Sequence, residues 1–295
     1  MYQRILVPLD GSPLAEQVLP YVRILGKALQ APIELLRTFG LVPAELAEPV
    51  HGRHLDQLVA SFRKEAQDSL DRAQASLQGL GVPVSTSVYE GEPASYIVRE
   101  AEREPGTLIA MCTHGRSGIT RWVMGSVTDK VLHATTNPLL IVRATSQGNS
   151  STDVKLSTVI VPVDGSSLAE QSLPHVVALA RGLHLKVMLV RVTGSAEEYY
   201  QYSAYQRAGT IPGLGTGARS IEEFSREADA RAIEYLHRVR GKLLQERVSS
   251  VEERLLHGQP AGAIVDLARE TQDNLIAMTT HGHSGLERWV LGSVT

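Results

Sequence analysis

"TLIAMCTHGRSGITRWVMGSVTDKVLHATTNPLLIVR", residues 107–143, decides the fold. It opens on "TLIAMC" (107–112), a short unbroken apolar run that reads as a buried strand. It closes on "PLLIVR" (138–143), a second such run. Between them lie a long loop containing Gly115, Gly118 and Gly125, then "VTDKVLHAT" (127–135), which reads as a helix. A strand, a helix and another strand in this order make a parallel crossover.

Upstream the pattern repeats itself. "RILVPL" is a strand, and Ser12 followed by Pro13 fits a helix start, with Ser12 as cap. Leu14, Val18, Val22, Leu25 and Leu29 then recur at helical spacing. "PIELLRT" is a second strand. Leu55, Val59, Phe62, Ala66, Leu70, Ala73 and Leu77 form a second helical stripe. "VPVSTSVY" is a third strand, and Pro93 opens a third helix. Strands alternating with helices predict a parallel sheet covered on both faces, with ligands outside the carboxyl ends of the strands.

The whole unit occurs twice. "ILVPLDGSPLAEQVLP" (5–20) returns as "VIVPVDGSSLAEQSLP" (159–174), and "GEPASYIVREA" (91–101) as "GQPAGAIVDLA" (258–268). "THGRSGITRWVMGSVT" (113–128) returns as "THGHSGLERWVLGSVT" (280–295). The expected organisation is a first domain at 1–143, a polar linker at 144–156 and a second domain at 157–295. Both domains are expected to be doubly wound, with five parallel strands in the complete unit. The second is expected to lack its last helix and strand, the counterpart of "DKVLHATTNPLLIVR". It also carries an insertion, 193–220, holding Tyr199, Tyr200, Tyr202 and Tyr205. That insertion reads as a decorated surface loop, or else as a lid beside a site.

Bulk properties narrow the classes of function. Of the 295 residues, 43% are hydrophobic and 21% charged, and the net charge is −3. That balance offers no general attraction to nucleic acid or to an anionic membrane. No apolar run is long enough to span a bilayer, and the N-terminal apolar run is too short for a signal peptide. With a single cysteine there is no disulfide within the chain. The expectation is a cytoplasmic protein.

Two loops carry the chemistry. Asp10 follows the first strand, and Asp164 is its counterpart. The glycine loop follows the fourth strand and leads through Gly125 and Ser126 into a helix. Free N–H groups at a helix start, with the dipole behind them, favour an anion such as phosphate. The alternative is that Gly and Ser merely shape a turn and cap, and that Asp10 bonds its own turn. G-x-x-x-x-G-K-[ST], G-x-G-x-x-G after a strand and G-x-S-x-G are all missing from the sequence. His114 and His281 read as residues that fix the loop, and Arg116 has His283 as its counterpart. Arg121, Trp122 and their counterparts Arg288 and Trp289 read as packing. Cys112 reads as a small buried filler.

"VPLDGS" together with the glycine loop resembles the universal stress protein family in its tandem form, over nearly the whole chain. The resemblance implies a Rossmann-like, adenine nucleotide alpha hydrolase-like α/β fold and ATP as ligand. The family's ATP-binding members carry G-x2-G-x9-G-[ST] in this loop. Gly115, Gly125 and Ser126 match its latter part, as do Gly282, Gly292 and Ser293. Cys112 and Thr279 replace the first glycine. By the resemblance, Asp10 and Asp164 lie near the adenosine, and the backbone at Thr38 and Val192 faces the adenine. His114, Gly115, Arg116, Gly125, Ser126, Val127 and Thr128 surround phosphates and ribose. A divalent ion, magnesium, would come with the triphosphate. A homodimer is implied too, because fifth strands in this family commonly pair, and the first unit's fifth strand is expected to seek one in another chain. The first site is expected to be the better one.

The function expected from these signs is an ATP-binding stress-response regulator driven by binding rather than catalysis. A nucleotide-free interaction module and a slow ATP-hydrolysing or adenylating enzyme stay open as alternatives.

Overall fold

The computed structural model of the chain describes residues 2–40, 52–113, 125–144, 154–194 and 221–280. The chain divides into two compact units, Met1–Val154 and Lys155–Thr295.

In the first unit the elements run β1 (Arg4–Pro8), a 3₁₀ turn (Ala15–Val18), α1 (Leu19–Leu29), β2 (Ile33–Phe39) and α2 (Gly52–Ser76). They continue with β3 (Val84–Glu90), α3 (Pro93–Glu102), β4 (Thr107–Thr113), α4 (Ser126–Ala134) and β5 (Leu139–Arg143). The sheet order is β3-β2-β1-β4-β5, and every pairing is parallel. The chain winds outward from β1 to β3, then returns to β4 on the other side of β1. That reversal opens a crevice outside the carboxyl ends of β1 and β4.

Register explains the apolar runs. Ile5 pairs with Ile33 on one side and Leu108 on the other. Ile5, Leu6, Val7, Leu35, Ile109 and Ala110 are all buried, as strands covered on both faces must be. On one face Leu6, Leu36, Ile109 and Met111 pack with Ala94, Ile97 and Ala101 of α3 and Val131 of α4.

Two expected helices differ in detail. The Ser12 hydroxyl does accept from Ala15 N–H, at 3.1 Å. The segment it caps, however, is a 3₁₀ turn; the α-helix begins at Leu19, with Pro20 in its first turn. The second stripe buries Ala66, Leu70, Ala73 and Leu77 but leaves Phe62 39% exposed. Helix α2 has 25 residues, about 37 Å. The seven-residue strands β2 and β3 beneath it span only about 23 Å. Helix α2 is therefore longer than the strands beneath it, in keeping with the exposure of Leu58 and Phe62.

The second unit repeats the plan with β6 (Thr158–Pro162), a short α5 (Ser167–Glu170), α6 (Leu173–Leu183) and β7 (Lys186–Thr193). Then come α7 (Ile221–Gln245), β8 (Val251–His257), α8 (Pro260–Glu270) and β9 (Asn274–Ile276). Among the described residues its sheet has four parallel strands, ordered β8-β7-β6-β9. Most of the linker (145–153) and of the tyrosine-rich insertion (195–220) lies outside the described residues. No helix among the described residues is long and apolar enough to cross a membrane.

The copies differ in how their third helix is pinned. In the first, Arg4 Nη1 meets Glu34 at 2.6 Å and Glu100 at 3.5 Å, and Nη2 donates to the Glu100 carbonyl at 2.6 Å. These three side chains are close to fully covered. In the second copy Thr158, Met188 and Leu267 take their places, and Met188 and Leu267 pack in one apolar cluster.

Candidate functional site

At the end of β1 the chain turns through Asp10-Gly11-Ser12. Gly11 has φ +83°, a left-handed conformation suited to glycine. That turn brings Ser12 N–H to Asp10 Oδ1, at 2.8 Å. The second copy builds the same turn, with Gly165 at φ +89°. Ser166 donates to Asp164 Oδ1 from both its N–H, at 2.9 Å, and its hydroxyl, at 2.6 Å. Local bonding of the aspartate to its own turn is thus observed in both units. Burial pulls the Asp164 carboxyl up, but the two Ser166 bonds and the Arg191 charge outweigh it and hold it below the usual range.

Across the crevice, β4 delivers Cys112 and Thr113, and α4 begins at Ser126. Thr128 is buried, and its hydroxyl donates to the Cys112 carbonyl at 3.3 Å, tying the helix start to the strand. The Cys112 side chain points the other way. Its thiol meets the Val18 main chain and lies near Tyr21 and Asp10, on the face of the 3₁₀ turn and α1. Met111, one residue earlier, packs on the α4 face with Val131. Burial, reinforced by the Asp10 charge, pushes the thiol up to about 12. It stays protonated and is no nucleophile, consistent with a filler role.

Gly125 is the residue before the first turn of α4. Its φ is −63°, so glycine is not required there for backbone reasons. Asp129 N–H makes the first helical bond, to the Gly125 carbonyl, at 2.9 Å. Ahead of it come the N–H groups of Ser126, Val127 and Thr128. Among the described residues no side chain caps this end. Asp129 in the first turn inclines toward His133, at 3.6 Å.

Thr38 lies at the carboxyl end of β2, paired with Tyr89, and Val192 at the end of β7, paired with Leu256. The first unit thus gathers Asp10, Thr38, Cys112, Gly125, Ser126, Val127 and Thr128 at the carboxyl edge of one sheet. The second holds Asp164, Val192 and Thr279 at the corresponding edge. His114, Gly115, Arg116, Gly282, Gly292 and Ser293 lie outside the described residues, as do Arg121, Trp122 and their counterparts. No group of three or more His, Cys, Asp or Glu side chains that could hold a metal occurs among the described residues.

Sequence reading passed over two residues at these edges, Arg37 on β2 and Arg191 on β7. Each lies against the glycine of its unit's Asp-Gly-Ser turn. The one signal for them was their equivalent place in the two copies, one residue before Thr38 and Val192.

The sequence model of the universal stress protein family matches residues 1–143 and again 155–295. A universal stress protein of Mycolicibacterium smegmatis is 23% identical over 300 residues, covering 99% of this chain and 91% of its own length. Another, of Methanocaldococcus jannaschii, is 28% identical over 144 residues, which is 48% of this chain and 83% of that protein. Among solved structures, a universal stress protein from Archaeoglobus fulgidus superposes with a TM-score of 0.63 at 19% identity. That match covers 92% of this chain and 84% of the other, a likeness of fold.

Proposed function

The chain belongs to the universal stress protein family, and from that premise we propose that its first unit binds ATP in the crevice outside β1 and β4, as a stress-response regulator that works by binding. The observation that carries this reading is the start of α4. Three successive N–H groups, of Ser126, Val127 and Thr128, sit ahead of the first helical bond with no side-chain cap among the described residues. An uncapped helix start with the dipole behind it suits a phosphate.

The loss of the family's first loop glycine does not count against this. Cys112 turns its side chain toward the 3₁₀ turn and α1, away from the α4 face, so the larger residue does not itself point at the start of α4. Asp10 and the Thr38 main chain would meet the adenosine, and Ser126 to Thr128 the phosphates. Magnesium, when bound, would arrive with the triphosphate and offset its charge. The groups gathered here hold an anion and orient it. The one thiol among them is protonated, so the reading is binding and release rather than chemistry.

Gly125→Leu tests it cleanly. At φ −63° any residue fits the backbone, so the variant should fold. Its side chain would stand in front of the amides. Losing two charge-assisted hydrogen bonds weakens ATP by about a hundredfold or more. Calorimetry on the full chain, with chromatography of nucleotide released on denaturation, measures this. Undiminished ATP affinity in Gly125→Leu would overturn the site, and no binding by the unaltered chain at millimolar ATP (on the order of ordinary cellular levels) would overturn the function.

A further inference from the structure

Both Asp-Gly-Ser turns have the same neighbour. Arg37 and Arg191 stand at equivalent positions on β2 and β7. Successive strand residues face opposite sides of a sheet, so the arginines face away from Thr38 and Val192. Arg37 lies so close to Gly11 that a Cβ there would be 2.5 Å from Nη1 and 2.8 Å from Cζ. At Gly165 the corresponding approach, to Arg191 Nη1, is 3.2 Å. Arg191 Nη1 also donates to the Val163 carbonyl at 3.4 Å, the peptide just ahead of Asp164.

The anchors behind these arginines differ. Arg37 Nη2 meets Glu65 of α2 at 3.3 Å. The burial register of the two long helices aligns Ala66, Leu70, Ala73 and Leu77 with Ala232, Leu236, Val239 and Leu243. Arg231 therefore stands where Glu65 does, and Tyr235 where Ser69 does. Arg191 lies over the Tyr235 ring at 5.8 Å, and its Nε is buried without a hydrogen bond among the described residues. Covering a guanidinium this far is unfavourable unless it is used. The anchors have changed between copies while the contact with the turn is present in both, so the turn is what the arginine serves.

We propose that Arg37 and Arg191 are positioning residues for the nucleotide, each holding the Asp-Gly-Ser turn of its unit in the shape that presents the aspartate to the adenosine. This rests on the nucleotide reading above. The guanidinium fills the space into which the turn would otherwise sag, and in the second unit its charge, with the Ser166 bonds, helps hold the Asp164 carboxyl below the usual range. Asp164 is faced by Arg191 from β7, by Glu170 from α5, and by Tyr235, with Arg238 and Lys242 beyond it, from α7. The Asp10 turn has Arg37 of β2 against its Gly11, with Glu65 of α2 behind it, and Asp10 is faced by Cys112 from β4, near Tyr21 of α1. Glu16 lies in the adjoining 3₁₀ turn. A carboxylate held below its ordinary range stays charged until the pH falls through the lowered value. Removing the cation raises that value, so on acidification binding is lost earlier, at higher pH.

The test uses the full chain carrying Arg37→Gln, Arg37→Lys or Arg191→Gln, each checked for folding by thermal unfolding. Carbon-detected NMR follows the Asp164 carboxyl, and calorimetry follows ATP, from roughly pH 2 to 7, a window that reaches below the usual carboxylate range. Arg191→Gln should raise the Asp164 midpoint. ATP binding to Arg37→Gln should weaken about tenfold near neutral pH, with its acid limb moved upward. Arg37→Lys should restore the limb but not the full affinity, since an ammonium keeps the charge and loses the fork. An unmoved Asp164 midpoint in Arg191→Gln, or an affinity loss uniform across pH, would overturn the arginines' role while the nucleotide reading stands. A lack of ATP binding by the unaltered chain would overturn both.

Discussion

Gly11 shows how much one residue carries. Its left-handed φ is what lets Asp10 fold back onto Ser12 N–H, and its missing Cβ is what lets Arg37 approach. Gly11→Ala should cost about 1–2 kcal/mol for the backbone alone. It should cost more because the Arg37 guanidinium must shift. In an Arg37→Gln background the second part disappears, so a double-mutant cycle measured by urea unfolding should show coupling between the two positions. Additive effects would mean that the close approach carries no energy. Asp10 was legible in the sequence because it follows a strand and precedes a Gly-Ser pair. Arg37 was not. In "ELLRTF" it looks like any polar residue near a strand end, and only the parallel pairing of β1 with β2 carries the turn over it.

Among elements, β1, β2, β4 and β5 were readable because strands inside such a sheet are apolar runs, β3 because of its β-branched and aromatic residues, α3 because proline marks its start, and α4 because a helical segment must link two parallel strands. Helix α2 was readable only in part. Its periodic stripe includes the exposed Phe62, and periodicity cannot tell an apolar face that meets a core from one that does not. Invisible too was the pin that fastens α3, since Arg4, Glu34 and Glu100 are far apart in sequence. Arg4→Met leaves the covered Glu34 without its cation, while Glu100 keeps Arg103 at 2.7 Å, and should cost about 3–5 kcal/mol. Exchanging all three for the second copy's Thr, Met and Leu should instead be nearly neutral or stabilising. Chemical denaturation of both variants checks the contrast, and a triple exchange as harmful as the single one would contradict it.

At the scale of the whole molecule the duplication was plain, because long matches recur in the same order. The chain's one thiol lies in the first unit, buried and pushed up to about 12. At about pH 8 its thiolate fraction is on the order of one in ten thousand, so labelling should follow opening of that unit alone. Disulfide reagents should react slowly with the native chain, faster in step with denaturant, and more slowly again once ATP is bound. Native labelling as quick as that of a free thiol would contradict the burial of Cys112. The polar pin of one copy and the apolar pin of the other have a further consequence, for assembly. Two near-identical halves on one chain invite exchange of segments while folding. Here the mistake is disfavoured: α3 laid on the wrong sheet would set Glu100 against Met188 with only the exposed Arg103 of its own helix to pair it, and α8 in the converse place would leave Arg4 and Glu34 without Glu100. Three side chains thus let each half recognise its own helix.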